Sequence, residues 1–372
     1  AAIMPIVLRS LMRDRILHLL LLLGVILLPL AEYRWPQLPA SVDWQTIMTL
    51  TGLLMLTKGL ENSGYFDVLG ARLIQRFQHE RALALFMVCA AALLSTFLTN
   101  DVALFILVPL TLTLRKFSHL PVSRLIIFEA LAVNAGSLLT PVGNPQNILL
   151  WSHGSLSVGG FVLQMLPLAA VLMITLIALT WWSFPAQHID KHSDAAAQQW
   201  SRRLFSVSLL LYIIFIVALE LKMTGWALLL VAVCFLMMAR GVLAAIDWSL
   251  LLVFVAMFID VFLLMHLPAL QPWFARIGQL GEGGIYLLAI GLSQFISNVP
   301  ATILLLQKTD PSMVLAWAVN IGGFGLLPGS LANLIALRMA QDKAVWWRFH
   351  LYSLPMLAWS MLCGWLLLQW LH

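Results

Sequence analysis

The chain has 372 residues, of which 62% are hydrophobic and only 10% charged, with a formal net charge of +5 and a mean hydropathy of +0.95. A soluble domain is about half apolar and about a quarter charged, so the composition excludes a separate soluble domain and indicates a polytopic membrane protein. The basic balance fits Lys and Arg gathered in cytoplasmic loops rather than a nucleic-acid surface.

In chain order, Arg9, Arg13 and Arg15 precede an apolar run from Ile16. That arrangement mimics a signal peptide, but Pro29-Leu-Ala-Glu-Tyr-Arg34 is a poor cleavage site, so 16–31 reads as a first span. Further full spans are predicted over 43–60, 124–151, 160–183, 204–221, 225–239, 247–266, 312–340 and 350–371, each long and apolar enough to cross a bilayer. The stretches 82–115 and 284–308 carry a polar break at mid-length and read as re-entrant hairpins. The longest polar stretch, Pro185 to Arg203, reads as a linker. Cys89, Cys234 and Cys363 lie alone in apolar runs and show no metal or disulfide spacing.

The expected fold is an all-α polytopic membrane protein with about nine full spans plus two hairpins. The N-terminal half is 1–183, with hairpin 82–115 and broken helix 124–151. A linker and connecting span cover 184–221. The C-terminal half is 222–372, with hairpin 284–308 and broken helix 312–340. An N-terminus in the cytoplasm then puts the C-terminus in the periplasm. It also puts all of the 21 basic residues on the cytoplasmic side except Arg34, Lys222, Arg276 and Lys308, as the positive-inside rule requires.

The two halves repeat one another. Ser95-Thr-Phe-Leu-Thr-Asn-Asp101 is echoed by Ser293-Gln-Phe-Ile-Ser-Asn-Val299. Asn134-Ala-Gly-Ser-Leu-Leu-Thr-Pro-Val-Gly-Asn-Pro-Gln-Asn147 is echoed by Asn320-Ile-Gly-Gly-Phe-Gly-Leu-Leu-Pro-Gly-Ser-Leu-Ala-Asn333. Asp43-Trp44 opens one unit and Asp247-Trp248 the other. Under this topology one unit starts outside and the other inside, which makes an inverted repeat. Unwound backbone is expensive in lipid unless it is buried in protein or lines a cavity. Paired breaks in corresponding places therefore point to a transport site.

The breaks carry the chemistry. Their freed N–H and C=O groups can meet ligands, helix N-termini suiting anions and carbonyls suiting cations. Ser95, Thr99 and Asn100 form one candidate oxygen cage for Na⁺, and Ser293, Ser297 and Asn298 a second. Asn134, Gly143, Asn144 and Asn147, with Asn320, Gly329, Ser330 and Asn333, complete the candidate ion and substrate site. The bland alternative is that these residues only glue helices together. Pro141, Pro145, Pro300 and Pro328 fit breaks that are built in. Intramembrane carboxylates often mark ion or proton pathways. Asp101 is the leading proton-linked candidate, with helix capping as its alternative. Asp260, whose counterpart is Leu56, is expected either to pair with Lys58 or to serve transport, and Glu129 is a third candidate.

With Thr99-Asn100-Asp101-Val102-Ala103-Leu104, Thr140-Pro141-Val142-Gly143-Asn144-Pro145-Gln146-Asn147, Ser297-Asn298-Val299-Pro300 and Asn320-Ile-Gly-Gly323 in view, the chain resembles an ion-transporter superfamily. That superfamily includes the ArsB arsenite exporters, NhaD-type Na⁺/H⁺ antiporters, citrate-type carriers and divalent-anion/Na⁺ symporters. Within it the chain looks most like the YbiR-type inner membrane proteins of enteric bacteria. The resemblance covers roughly 43 to 371. It implies an elevator-type carrier in the bacterial inner membrane, commonly a homodimer, with coupling Na⁺ at Thr99-Asn100 and Ser297-Asn298. Dicarboxylate symporters of this kind carry Ser-Asn-Thr at both tips. Here Asp101 and Val299 replace those threonines, which argues against a dicarboxylate and brings the first tip nearer the arsenite-exporter pattern.

The sequence therefore points to a secondary active transporter of a small anion, oxyanion or organic anion, coupled to Na⁺ or H⁺ and needing no cofactor. The alternatives are a Na⁺/H⁺ antiporter with Asp101 as the exchanging carboxylate, an arsenite-type metalloid exporter, and, from another class, an ion channel. An intramembrane enzyme is disfavoured: the histidines lack HExxH-like spacing and no Ser/His pairing is apparent.

Overall fold

The computed structural model describes residues 3–191 and 199–371. Residues 192–198, which fall in the expected linker, lie outside the described residues. Every named element is a helix, and among the described residues there is no strand beyond two isolated bridges, His79 with His188 and Ser118 with Lys191. Five helices are long and apolar enough to cross a membrane: Glu80–Phe97, Val158–Ser183, Arg202–Glu220, Trp248–Met265 and Val345–Leu371. Shorter apolar helices include Arg15–Leu27, Thr224–Met238, Glu282–Ile296 and Leu331–Ala340. The chain is a multi-pass helical membrane protein.

Several helix starts are written in the sequence. Asp43 caps Trp44–Ser63 by accepting from Thr46 N, and Asp247 caps Trp248–Met265 by accepting from Leu250 N. Ser157, Ser201 and Ser312 do the same for the helices that follow them. Each cap satisfies an N–H that the first turn leaves open. These short polar residues therefore fix where spans begin, within a few residues of expectation. Besides several short helices of six residues or fewer, two longer helices were not expected. Ile3–Arg13 and Tyr65–Arg76 are amphipathic, and their arginines read as span flanks in the sequence.

Contacts divide the chain into two compact units, each drawing one segment from each half: Ala1–Val68 with Gln199–Ala275, and Leu69–Gln198 with Arg276–His372. In the first unit, Trp44–Ser63 packs on Arg202–Glu220 and Thr224–Met238, while Trp248–Met265 packs on Arg15–Leu27. Leu50, Leu53, Leu56, Phe215, Phe235 and Phe254 fill its core. Ser249 donates to the buried Asp14 carboxylate within this unit. In the second unit, the helix Val122–Ser137 is buried along its whole length except at Arg124. It packs on Glu80–Phe97, Asn100–Thr113, Leu331–Ala340 and Val345–Leu371. A helix apolar and buried all round is a core helix, and this one carries the first break at its end.

Candidate functional site

The second unit contains both polar helix junctions and both broken helices. Glu80–Phe97 stops at Leu98, and Asn100–Thr113 starts after Thr99, whose hydroxyl accepts from Val102 N at 3.1 Å. The matching pair is Glu282–Ile296 and Asn298–Leu306, joined at Ser297. The first broken helix runs Val122–Ser137, then resumes at Pro145–His153 with Asn144 as its cap. The second runs Met313–Ile321, then resumes at Leu331–Ala340 with Ser330 as its cap. Pro145 opens its segment at the first helical position, where proline's missing N–H costs nothing. The second arms cross-pack: Asn298–Leu306 on Pro145–His153, and Leu331–Ala340 on Asn100–Thr113.

The asparagines knit the two breaks together. Asn134 Nδ2 donates to Asn333 Oδ1 at 2.8 Å, and Asn320 Nδ2 donates to Asn147 Oδ1 at 2.8 Å. Asn144 and Gln146 both donate to Asn320 Oδ1, at 3.1 and 3.2 Å. Asn147 Nδ2 turns back to the first break's own carbonyls of Ser137, Leu138 and Thr140. Asn333 Nδ2 turns back to the Gly323 carbonyl of the second break at 2.9 Å. All five asparagines are buried. Each break therefore exposes carbonyls that its own late asparagine satisfies, and each late asparagine is held by the early asparagine of the other half.

The junctions are tied to the breaks by the same scheme. Thr96 Oγ1 donates to the Gly136 carbonyl at 2.8 Å, and its counterpart Gln294 Nε2 donates to the Gly322 carbonyl at 2.9 Å. Asn100 N donates to the Gly143 carbonyl at 2.9 Å. Backbone approaches closely here. A Cβ on Gly136 would lie 2.3 Å from Ala92 O, and one on Gly143 would lie 2.2 Å from Ser137 O. One on Gly329 would lie 2.5 Å from Gly322 O.

Other predicted site residues are engaged locally. Ser95 and Ser293 hydroxyls donate within their own helices, to Ala92 O and Ala289 O. Asn100 Oδ1 accepts from Asp101 N, and Ser330 Oγ from Ala332 N. Asn298 is buried, and its Nδ2 lies 3.3 Å from where a Cβ on Gly323 would stand. Ser297 is unusual: its φ is 75° and ψ 156°, and its buried hydroxyl has no hydrogen-bond partner among the described residues. That backbone region belongs essentially to glycine, so a serine there stores strain.

The carboxylates separate. Asp101 is half-buried in the first turn of Asn100–Thr113. Glu129 is fully buried and accepts from Thr111 Oγ1 at 2.8 and 2.9 Å, which ties two helices of the second unit. Asp260 belongs to the first unit. Its expected pairing with Lys58 does not occur: Lys58 Nζ bonds Glu61 at 2.9 Å, one turn along its own helix. Instead Asp260 lies against Gly24, where a Cβ would meet its Oδ1 at 2.7 Å, and its Oδ2 has no partner among the described residues. An i,i+3 partner on the same helix is always within reach, which a partner on a distant segment is not.

Sequence reasoning passed over Thr96, Gln146 and Gln294 as site residues, although all three stand inside the motifs it singled out. Their one legible signal was a polar side chain beside a break whose carbonyls need donors.

Comparison with known proteins gives a consistent result. The family described as Citrate transporter matches residues 6–311. The inner membrane protein YbiR of Escherichia coli is 59% identical over 364 residues, covering 97% of each chain. An uncharacterized transporter of Methanocaldococcus jannaschii is 28% identical over 333 residues, covering 88% of this chain and 90% of its own. A silicon efflux transporter of Oryza sativa is 29% identical over 164 residues, covering 43% of this chain and 34% of its own.

Proposed function

The chain belongs to the citrate transporter family, and from that premise we propose that it is an elevator-type secondary active transporter. It moves a small anion, oxyanion or organic anion across the bacterial inner membrane, coupled to Na⁺ or H⁺. The observation that carries this reading is the reciprocal bonding of Asn134 to Asn333 and of Asn320 to Asn147. Corresponding residues of two halves exchanging the same bond is what a pseudo-two-fold axis through a shared site produces. In this reading the two junctions are tips of re-entrant hairpins, and nine full spans with two hairpins place the N-terminus in the cytoplasm and the C-terminus in the periplasm. The second unit is the moving part, and the first holds a homodimer.

Four helix N-termini begin beside the breaks, at Asn100, Pro145, Asn298 and Leu331. Their partial positive charge favours an anionic ligand. Asp101 opposes that field at one of them. Na⁺ at the Ser95, Thr99 and Asn100 cage and at the Ser293, Ser297 and Asn298 cage would restore the balance. The inner membrane placement is supported by the name of the Escherichia coli relative.

A second reading, export of a metalloid hydroxide, is favoured by the relative named a silicon efflux transporter and by the Asn100-Asp101 tip. A third, Na⁺/H⁺ antiport, uses Asp101 as the exchanging group.

Thermal stability of the purified protein separates these readings. A ligand that binds the folded state raises the midpoint by mass action, contributing about 2.7 kcal/mol at a hundredfold excess over Kd. The panel holds Na⁺, Li⁺, K⁺ and a pH series, then citrate, succinate, sulfate, phosphate, arsenite and silicic acid. Stabilisation by Na⁺ together with one anion supports the symporter. Response to Na⁺ and pH alone supports the antiporter, and response to a neutral metalloid supports the exporter. Loss of Na⁺ stabilisation in Asn100→Ala and Asn298→Ala is expected, and an unchanged Na⁺ response in both removes the proposed cages.

A further inference from the structure

Three consecutive backbone N–H groups of the second break end on side-chain acceptors. Gly325 N donates to Ser353 Oγ at 2.8 Å, Leu326 N to Gln294 Oε1 at 2.8 Å, and Leu327 N to His350 Nε2 at 3.1 Å. Gly325 has a φ of 101°, so the turn that presents these groups needs a glycine. Two of the three acceptors, Ser353 and His350, stand on one helix, Val345–Leu371.

The imidazole's state follows from its two contacts. His350 Nδ1 lies 2.7 Å from the Trp346 carbonyl, which can only accept, so Nδ1 carries a hydrogen. The Leu327 N–H can only donate, so Nε2 carries none. Together they assign a neutral ring protonated at Nδ1. A second proton, on Nε2, would set one N–H against another and leave the Leu327 amide without its acceptor. Histidine is the side chain whose charge change ordinarily falls between about pH 5 and 8.

We propose that His350 is a proton-sensitive positioning residue: its neutral ring holds the Gly325–Leu327 turn, and its protonation releases that turn. This rests on the reading of the breaks as the ligand site, because Gly329 and Ser330 lie two and three residues beyond the last clamped amide. The first break has no such device. Pro141 stands where Leu327 stands in the repeat, and proline has no N–H to hold. Proton sensitivity therefore falls on one break of the two.

The surroundings leave the ring to act alone. The elements packed on Val345–Leu371 are Val122–Ser137, Val158–Ser183, Glu282–Ile296, Met313–Ile321, Leu331–Ala340 and the turn Leu327–Gly329. Their charged or titratable side chains are Arg124, Glu129, Glu282, Tyr286 and Arg338, and on the helix itself Arg348 and Tyr352 flank His350 while Cys363 lies farther along. Arg124 is bonded to the Ser183 carbonyl and Glu129 to Thr111. None of these forms a hydrogen bond or ion pair with the imidazole among the described residues.

The test is amide hydrogen exchange of the full chain in nanodiscs, read by mass spectrometry over peptides covering residues 322–330. Wild type, His350→Gln and His350→Phe are compared at about pH 5.5 and about pH 8, with intrinsic exchange rates corrected. Glutamine keeps an acceptor that does not titrate. The wild-type segment should exchange about threefold faster or more at the lower pH, the change that loss of one hydrogen bond produces. The Gln variant should lose that pH dependence, and the Phe variant should exchange fast at both values. Wild-type protection that does not change with pH, or a Gln variant that keeps the shift, overturns the proposal. If His350→Phe does not fold, the wild type and His350→Gln decide alone. Ligand-induced stabilisation, measured at both pH values with the stabilising ion or anion from the panel above, separates the two readings. An exchange switch with ligand stabilisation equal at both values upholds the His350 clamp and removes the second break from the ligand site.

Discussion

Asn134 donates to Asn333 over 2.8 Å, joining residues 199 positions apart in the chain. Asn320 donates to Asn147 over the same distance and in the same sense, across 173 positions. Neither bond belongs to one half, so the two breaks are held as one polar body.

Breaking either bond should be felt as lost stability. Asn134→Ala leaves the Asn333 amide oxygen buried and unpaired, which costs about 1–3 kcal/mol. A double-mutant cycle with Asn333→Ala should return a coupling of about 1 kcal/mol, as contacting residues do. Thermal or denaturant unfolding measures both. A coupling of zero would show that the bond does not contribute in the folded protein.

The close backbone approaches make a second prediction. Gly136→Ala and Gly143→Ala each drive a methyl into a carbonyl that cannot yield cheaply. Each should destabilise by about 1–3 kcal/mol, the usual cost of overpacking. Gly291→Ala is the control, since nothing lies within 4 Å of its added Cβ. There the better helix propensity of alanine should stabilise by about 0.5–1 kcal/mol. Melting curves of the three variants decide.

Ser297 offers a third. Its backbone sits in territory that suits glycine, and its hydroxyl bonds nothing among the described residues. Ser297→Gly should therefore raise the melting temperature by relieving about 1–3 kcal/mol of strain. The same variant should weaken Na⁺ stabilisation, because the buried hydroxyl of the proposed cage is gone. A variant that melts lower than wild type would mean that the serine is supported by contacts the strain argument omits.

A fourth concerns pH and lies outside the spans. Asp342 accepts from Ser123 Oγ at 2.7 Å and from Ala344 N at 3.0 Å. Those hydrogen bonds, Ser123 first, hold its carboxyl below the ordinary value. A depressed carboxylate contributes stability that is present above its unfolded pKa and is lost as pH falls through the folded one. Ser123→Ala should raise the Asp342 pKa and flatten the acid limb of the stability profile. A titration of the melting temperature from neutral to acid pH would detect this.

Much of the architecture was legible in the sequence because it is set locally. The spans expected over 160–183 and 225–239 are the helices Val158–Ser183 and Thr224–Met238, each marked by an unbroken apolar run. Both breaks were visible from their Gly, Pro and Asn content, since those residues act on their own backbone. The equal spacings in the two halves singled out Asn134, Asn147, Asn320 and Asn333, but not who bonds whom. That pairing is a property of packing, as are the bonds of Thr96 and Gln294 to carbonyls freed by a distant break. Whether Lys58 meets Asp260 was not legible either, because a residue's place along a helix says nothing about which way it faces. The positive φ of Ser297 left no trace at all, because a serine does not advertise a glycine conformation.

The crosswise asparagines also bear on how the chain is made. While the ribosome is still synthesising the second half, the first break is already in place, with Asn134 and Asn147 lacking their eventual partners Asn333 and Asn320. Polar groups left open in lipid are costly. In that interval Asn147 can still bind the carbonyls of its own break, whereas the Asn134 side chain has, among the described residues, its bond to the other half alone. The nascent protein is therefore most exposed to quality control between insertion of its two halves. A chain truncated before Asn320 should be cleared rapidly by membrane proteases, while separately expressed halves should protect one another when they meet.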